Sequence, residues 1–189
     1  MQKSLDSIES WSERWNIKIN PEKTKAILFT RGRRKIKQNR QLQFMGEPLP
    51  LQPAVKYLGI ILDRGLTFEK HIKTIRGKSY ATISKLYPIL SNYTLKIATR
   101  RQIYLTVIRA YILYACPAWS TFCATRLKSL EAIQNKCVRI MLRADRYERN
   151  DDLRPLVNLP TLCSAIETSV TRLKARIAAH SNTAVLQIG

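Results

Sequence analysis

Acidic residues are scarce in this chain. Aspartate and glutamate number 13 against 33 lysines and arginines, a formal charge of +20 with a sequence pI near 10.3. A surface neutralised by its own ion pairs is therefore excluded. Self-repulsion on this scale works against a compact state unless an outside anion compensates it. The natural counterpart is a polyanion: nucleic acid first, an anionic membrane second, with a merely solvated basic surface as the bland reading.

Histidine is nearly absent, with only His71 and His180, and the four cysteines (Cys116, Cys123, Cys137, Cys163) form no C-x-x-C pair. Zinc coordination needs ligands at such close spacings, so no metal site is expected. Each cysteine falls in or near an apolar helical pattern and reads as a buried reduced thiol, and nothing suggests an oxidising compartment. A secretory leader is missing too, because Met1 is followed by the polar "QKSLDSIESW". Long hydrophobic runs are also lacking. The most apolar stretch, 104–119, contains Arg109 and Pro117 and is too short to span a bilayer. The expectation is a soluble intracellular protein with no membrane partner, nucleus and cytoplasm being indistinguishable. No internal repeat is visible.

What is present supports a fold. With 189 residues and 45% apolar content, the chain can build a core. Leu5, Ile8, Trp11 and Trp15 mark one face of a helix over 3–15. "IKI" (17–19) has the two-residue period of a strand edge, Asn20-Pro21 forces a turn, and "AILF" (26–29) is a short strand candidate. Six of the ten residues in "RGRRKIKQNR" (31–40) are basic, a loop that is solvated unless it meets phosphate. Residues 42–63 read as a strand, a Gly-Glu-Pro turn, a Pro-rich crossing and a second strand, "YLGIIL" (57–62), with Gly59 inside it. From Phe68 onward the period is helical. One long helix carries Ile72, Ile75, Ile83 and Leu86, is weakened by Gly77, and ends at Pro88. A second covers about 94–115, with Leu95, Ala98, Ile103, Val107 and Tyr111 as its buried face. A third covers about 124–143, with Leu127, Leu130, Ile133, Cys137 and Met141. A short segment lies near 151–157, and a last helix covers about 161–179, with Leu162, Ile166, Val170, Leu173 and Ile177. The fold class is thus α+β, with a seam near residue 66. The first third alone would bury little surface, as if further strands of its sheet were missing.

Four stretches carry a resemblance: "WSERWNIKINPEKTKAILF", "VKYLGIILDRGLTFEKHI", "LTVIRAYILYACPAW" and "LKSLEAIQNKCVRIML". In this order and spacing the chain resembles the C-terminal part of reverse transcriptases of non-LTR retrotransposons, in the jockey-like clade, over essentially its whole length. The resemblance implies a partial palm over 1–66, a helix plus short antiparallel strands holding motifs D and E. An all-helical thumb-like bundle over 67–189 would follow it. It implies an RNA template and a DNA primer as partners, together with the parent polymerase's N-terminal palm and fingers. Mg2+ is expected for the intact enzyme. The family's aromatic-Ala-Asp-Asp hairpin is not in this sequence; the chain is expected to begin downstream of it and not to polymerise alone. The only adjacent aspartates, Asp151 and Asp152, follow a polar run and read as helix capping.

The resemblance places Lys23 as a motif D proton donor to the leaving pyrophosphate, given a complete palm, with Lys25 second; without the palm both are ordinary turn cations. Tyr57, Leu58 and Gly59 fall in motif E, which holds the primer end. A buried strand with a bulge reads those three equally well. Lys70, Lys73, Lys78, Lys136, Arg139 and Arg143 are candidate phosphate contacts, with Arg146 and Arg149 extending the last group. Few carboxylates stand four residues away to pair with them. Trp11, Trp15 and Trp119 read as core residues, base stacking being the alternative. Two other functions remain open: a stand-alone basic nucleic-acid-binding protein derived from a retroelement, and a helical protein with an acidic partner.

Overall fold

In the computed structural model, residues 1–30, 42–120 and 124–182 are described; the basic stretch 31–40 and Cys123 lie outside them. The chain divides into two compact units, Met1–Phe68 and Glu69–Gly189.

The first unit opens with helix α1 (Gln2–Arg14), then a 3-10 turn (Pro21–Lys23) and two hairpins. These are β1 (Leu42–Phe44) with β2 (Glu47–Leu49), and β3 (Ala54–Tyr57) with β4 (Ile60–Asp63). Each hairpin is antiparallel and forms its own two-stranded sheet, with Gln43 opposite Pro48 and Tyr57 opposite Ile60. Both close on two-residue X-Gly turns. Met45 and Gly46 have φ of 53° and 77°, and Leu58 and Gly59 have 44° and 84°. Two successive positive φ values define the turn whose twist matches the flanking strands, and glycine takes the second without a Cβ penalty. The Gln2 side chain both donates to the Gln43 carbonyl (2.9 Å) and accepts from its N–H (3.0 Å), and Glu9 accepts from the Met45 N–H, so α1 is stitched to the first hairpin. Asp63 ends β4 by accepting from the Thr67 N–H (2.6 Å) and hydroxyl (2.7 Å).

Several expectations for this unit are corrected. Residues 17–19 and 26–29 form no strand; Ala26 makes only an isolated bridge to Leu51. Residues 57–62 are not one strand, because Leu58-Gly59 reverses the chain there, and Glu47 and Pro48 belong to β2 rather than to a turn. Trp11 and Trp15 are not core. They are 50% and 63% exposed, along with Ile8, while the residue that α1 buries is Ser12. The apolar stripe is present, but among the described residues it is not buried: Leu5 is half-buried, and Ile8, Trp11 and Trp15 are exposed.

The second unit is helical: α2 (Glu69–Leu90), α3 (Ile97–Ile103), a π-helical turn (Tyr104–Arg109), α4 (Ala110–Leu113), α5 (Cys116–Trp119), α6 (Ala124–Leu142), α7 (Asn150–Leu156) and α8 (Leu162–Ala178). Contacts between Glu69 and Arg126, Tyr80 and Lys136, and Ser91 and Arg143 run in step, so α2 and α6 lie side by side and parallel. The α3–α4 segment runs against α6, since Arg100 donates to the Met141 carbonyl and Tyr104 to Gln134. The core comprises Ile72, Ile75, Ile83 and Leu90 of α2, Tyr104, Ile108 and Ile112, Trp119, the α6 face from Leu130 to Met141, and Leu153, Leu162 and Ile166.

Two expectations shift here for stated reasons. Pro88 does not end α2; it sits in the last turn, where its missing N–H removes one bond, and the helix continues to Leu90. The buried face of the second helical segment is displaced by one residue. Arg100, Tyr104, Ile108, Ile112 and Cys116 are buried, whereas Val107 and Tyr111 are more than a third exposed. A strict spacing of four drifts around an ordinary helix, and the wider π turn over Tyr104–Arg109 takes up that drift. Leu173 of α8 is also more exposed than its periodicity predicts.

Candidate nucleic-acid interface

The expected motif D residues lie on the 3-10 turn. Asn20 caps it, its side chain accepting from the Lys23 N–H at 3.2 Å, while the Thr24 hydroxyl donates to the Asn20 carbonyl at 3.0 Å. Lys23 and Lys25 are both exposed. Lys25 borders a shallow groove of about 420 Å³ lined also by Glu22, Glu47 and Pro48. Two carboxylates on that wall make the groove a poor anion pocket despite Lys25 at its edge.

The expected motif E residues form a tip. Tyr57 is 62% and Leu58 71% exposed at the end of the β3–β4 hairpin, with Gly59 completing the turn. This removes the alternative of a buried bulged strand. A projecting hairpin with an aromatic and an aliphatic side chain at its end can press against a sugar or base, and the glycine leaves room for a close backbone.

In the second unit, ion pairs among the described residues engage only Arg126 and Arg154 of the lysines and arginines. Lys70, Lys73, Lys78 and Lys136 are exposed. Two of them rest on tyrosines across helix boundaries, Lys78 over Tyr111 (5.6 Å to the ring centroid) and Lys136 over Tyr80 (5.1 Å). Arg143 lies over Tyr93 at 5.1 Å and Arg146 over Tyr147 at 4.6 Å. Such pairs hold the cation by the ring's negative face; Arg143 also donates Nε–H to the Ser91 carbonyl and Arg146 donates to the Tyr147 hydroxyl. Sequence reasoning named the cations and missed the tyrosines. Three of the four pairs join residues more than thirty positions apart, so no local pattern could announce them.

Arg139 also has a structural task. Its guanidinium donates to Asn150 Oδ1 (2.9 and 3.2 Å), to the Glu148 carbonyl (2.5 Å) and to the Asp145 carbonyl, clamping the connection between α6 and α7. Asp151 and Asp152 lie in the first turn of α7, not at its cap, which is Arg149; Asp151 pairs with Arg154. Carboxylates there favour the helix N-terminus electrostatically. Among the described residues no group of three histidine, cysteine or acidic side chains could hold a metal ion. Two thiols fit the buried reading: Cys116 and Cys137 are buried, burial pushing Cys137 up to about 12 and raising Cys116, whereas Cys163 is only partly buried, though desolvation raises it too. No described helix is long and apolar enough to cross a membrane.

The chain is 34% identical over 173 residues to a probable RNA-directed DNA polymerase from transposon X-element of Drosophila melanogaster, which covers 91% of the chain and 19% of that protein. The RNA-directed DNA polymerase from mobile element jockey of Drosophila funebris is 26% identical over the whole chain and 20% of its own length. A probable RNA-directed DNA polymerase from transposon BS of Drosophila melanogaster is 26% identical over 95% of the chain. The chain is related to the RNA-directed DNA polymerases of jockey-like non-LTR retrotransposons. It spans about one fifth of the length of these curated relatives. No family model matches the chain, and no solved structure matches it significantly. Relatives among non-LTR retrotransposon polymerases, matched along nearly all of this chain, thus agree with the resemblance carried by its motifs.

Proposed function

We propose that this chain is the part of a non-LTR retrotransposon reverse transcriptase that grips template and primer. Residues 1–66 are the end of the palm, residues 67–189 the thumb and its extension, and the ligand is an RNA template paired with a DNA primer. The observation that carries this reading is the match to RNA-directed DNA polymerases along 91% or more of the chain. The charge of +20, with few of the described basic side chains engaged in ion pairs, supports it.

In this reading the hairpin tip at Tyr57, Leu58 and Gly59 meets the primer end, and Lys70, Lys73, Lys78, Lys136 and Arg143 contact phosphates. Arg139 also holds the loop after α6 through the Asp145 and Glu148 carbonyls. Lys23, once a complete palm surrounds it, neutralises or protonates the departing pyrophosphate, and Lys25 stands second to it. Among the described residues no side-chain cluster fits Mg2+; in this reading its ligands would come from the rest of the parent polymerase. Polymerisation by this chain alone is not expected.

The test is binding of a labelled RNA–DNA hybrid to the purified chain as salt rises. Neutralising about six phosphates should lower affinity roughly 10³-fold between 50 and 200 mM salt. A flat salt response, or preference for an acidic protein after nuclease treatment, would reject the reading. A chain that binds every polyanion equally, and that restores no activity when mixed with the rest of a related polymerase, would favour a stand-alone basic nucleic-acid-binding protein instead.

A further inference from the structure

Among the described residues, three helices end in the same way. After α1, α6 and α7 the backbone turns left-handed at one residue, and the next N–H reaches five residues back: Ile17 to the Ser12 carbonyl (2.9 Å), Ala144 to Arg139 (3.1 Å) and Leu159 to Arg154 (3.1 Å). The left-handed residues are Asn16 (φ 50°), Arg143 (φ 53°) and Asn158 (φ 48°). Glycine or asparagine is the normal occupant of this position, because a Cβ with no compensating local hydrogen bond is disfavoured there. Arginine at the end of α6 is the exception, and a costly one.

What the arginine gains is placement. The Arg143 Nε–H donates to the Ser91 carbonyl (3.3 Å), and its guanidinium covers the ring of Tyr93. Asn92 closes an Asx turn on the Thr94 N–H (2.9 Å) and hydroxyl (2.7 Å), leaving Tyr93 at the tip of the α2–α3 connection and 74% exposed. Three residues beyond Arg143, Arg146 covers Tyr147, which is 77% exposed. The Arg139 clamp fixes the backbone carbonyls on either side of Tyr147, so this loop is held rather than loose. The corner is not free of acid: Glu148 accepts from the Asp145 N–H at 2.7 Å, and the Asp145 carboxylate stands nearby in sequence.

We infer that this corner is a binding site for unpaired nucleotides of a single-stranded polynucleotide. Bases stack on the exposed rings of Tyr93 and Tyr147, and Arg143 and Arg146 meet the adjoining phosphates. The chemistry is that of a single-strand platform, in which a π-face takes any base and a cation beside it takes the backbone. A paired duplex hides its base faces and could use only the cations. The inference rests on the proposed nucleic-acid role and adds to it a place where the strand is not paired.

The experiment compares the full chain and its variants on a labelled 20-nucleotide single strand and on a blunt duplex of equal length. Tyr93→Ala and Tyr147→Ala should each weaken single-strand binding about tenfold, as loss of one stacked base predicts. Both should leave duplex affinity and the salt dependence unchanged. Tyr93→Phe should bind as the parent does. Arg143→Gly should weaken single-strand binding without lowering the melting temperature, because glycine relieves the left-handed backbone while removing the cation. A Lys70→Ala, Lys73→Ala double variant should weaken both ligands and flatten the salt response. If the tyrosine variants weaken neither ligand, or both equally, the stacking site is refuted while the wider nucleic-acid reading stands. If the parent chain binds neither ligand, both fall together.

Discussion

Tyr104 donates a 2.7 Å hydrogen bond to Gln134 Oε1 with both side chains fully buried, joining the π turn to α6. Gln134 then donates to the Pro160 carbonyl at 2.8 Å, so one amide ties three segments of the helical unit together. Burial drives the Tyr104 phenol well above its ordinary range, which keeps it a donor at any working pH. Tyr104→Phe preserves the ring and strands the Gln134 oxygen. The expected loss is about 1–3 kcal/mol, read from urea unfolding of the chain. A change under a few tenths would mean the amide finds another donor.

His71 gives this unit a pH dependence. It is buried edge-on to Trp119, with ring centroids 5.8 Å apart, and desolvation lowers its pKa below 6.5. The folded state therefore takes up its proton at a lower pH than the unfolded state does. In that window the unfolded chain binds more protons, so stability rises with pH and falls as pH drops below about 6.5. Melting temperatures from pH 7.5 to 5.5 should decline in the parent chain. His71→Gln should decline less steeply over the same range, whatever its starting stability.

Gly77 sits mid-way along α2, exposed, and a Cβ built on it meets nothing within 4 Å. Alanine there keeps the helix and narrows the unfolded ensemble. Gly77→Ala should stabilise the chain by about 0.5–1 kcal/mol, seen as a rise in the unfolding midpoint. No effect would indicate that the glycine bends α2 for packing that alanine disturbs.

The three tryptophans should report two different surroundings. Trp119 is fully buried and its indole N–H donates to the Tyr114 carbonyl at 3.1 Å. Trp11 and Trp15 are at least half exposed. Trp119→Ala should cost about 3–5 kcal/mol, and Trp15→Ala within about 0.5 kcal/mol. Acrylamide should quench Trp11 and Trp15 readily and Trp119 poorly. A well-shielded Trp15 would show that something covers the α1 face in solution.

How far the sequence could be read depended on how local each signal was. The long amphipathic patterns of α2, α6 and α8 were legible because a 3.6-residue period needs no partner to be seen. The two hairpins were misread where the turn was short: Leu58-Gly59 hides inside an apolar run, and only the positive φ values expose it. The displaced face at Tyr104–Ile112 followed from a π turn, which no residue type announces. Trp11 and Trp15 looked like core because a stripe on a helix says which side is apolar and not whether anything lies against it. At the candidate interface the cations were legible as composition. Their tyrosine partners were not, since Lys136 and Tyr80 meet only through the packing of α6 on α2.

Arg139 separates an arginine that binds from one that builds. It is counted with the basic residues of α6, yet its guanidinium spans the Asp145 and Glu148 carbonyls and the Asn150 side chain. That planar fork is what fixes the loop carrying Arg146 and Tyr147, and a lysine ammonium cannot reproduce it. Arg139→Lys should therefore behave like Arg139→Ala, each costing about 1–3 kcal/mol and raising hydrogen exchange over residues 144–149. A phosphate-binding arginine would behave otherwise: lysine would keep most of the polynucleotide affinity, and exchange in the loop would not change. Measured together, exchange and salt-dependent binding assign Arg139 to one role, and the bonds it makes predict the structural one.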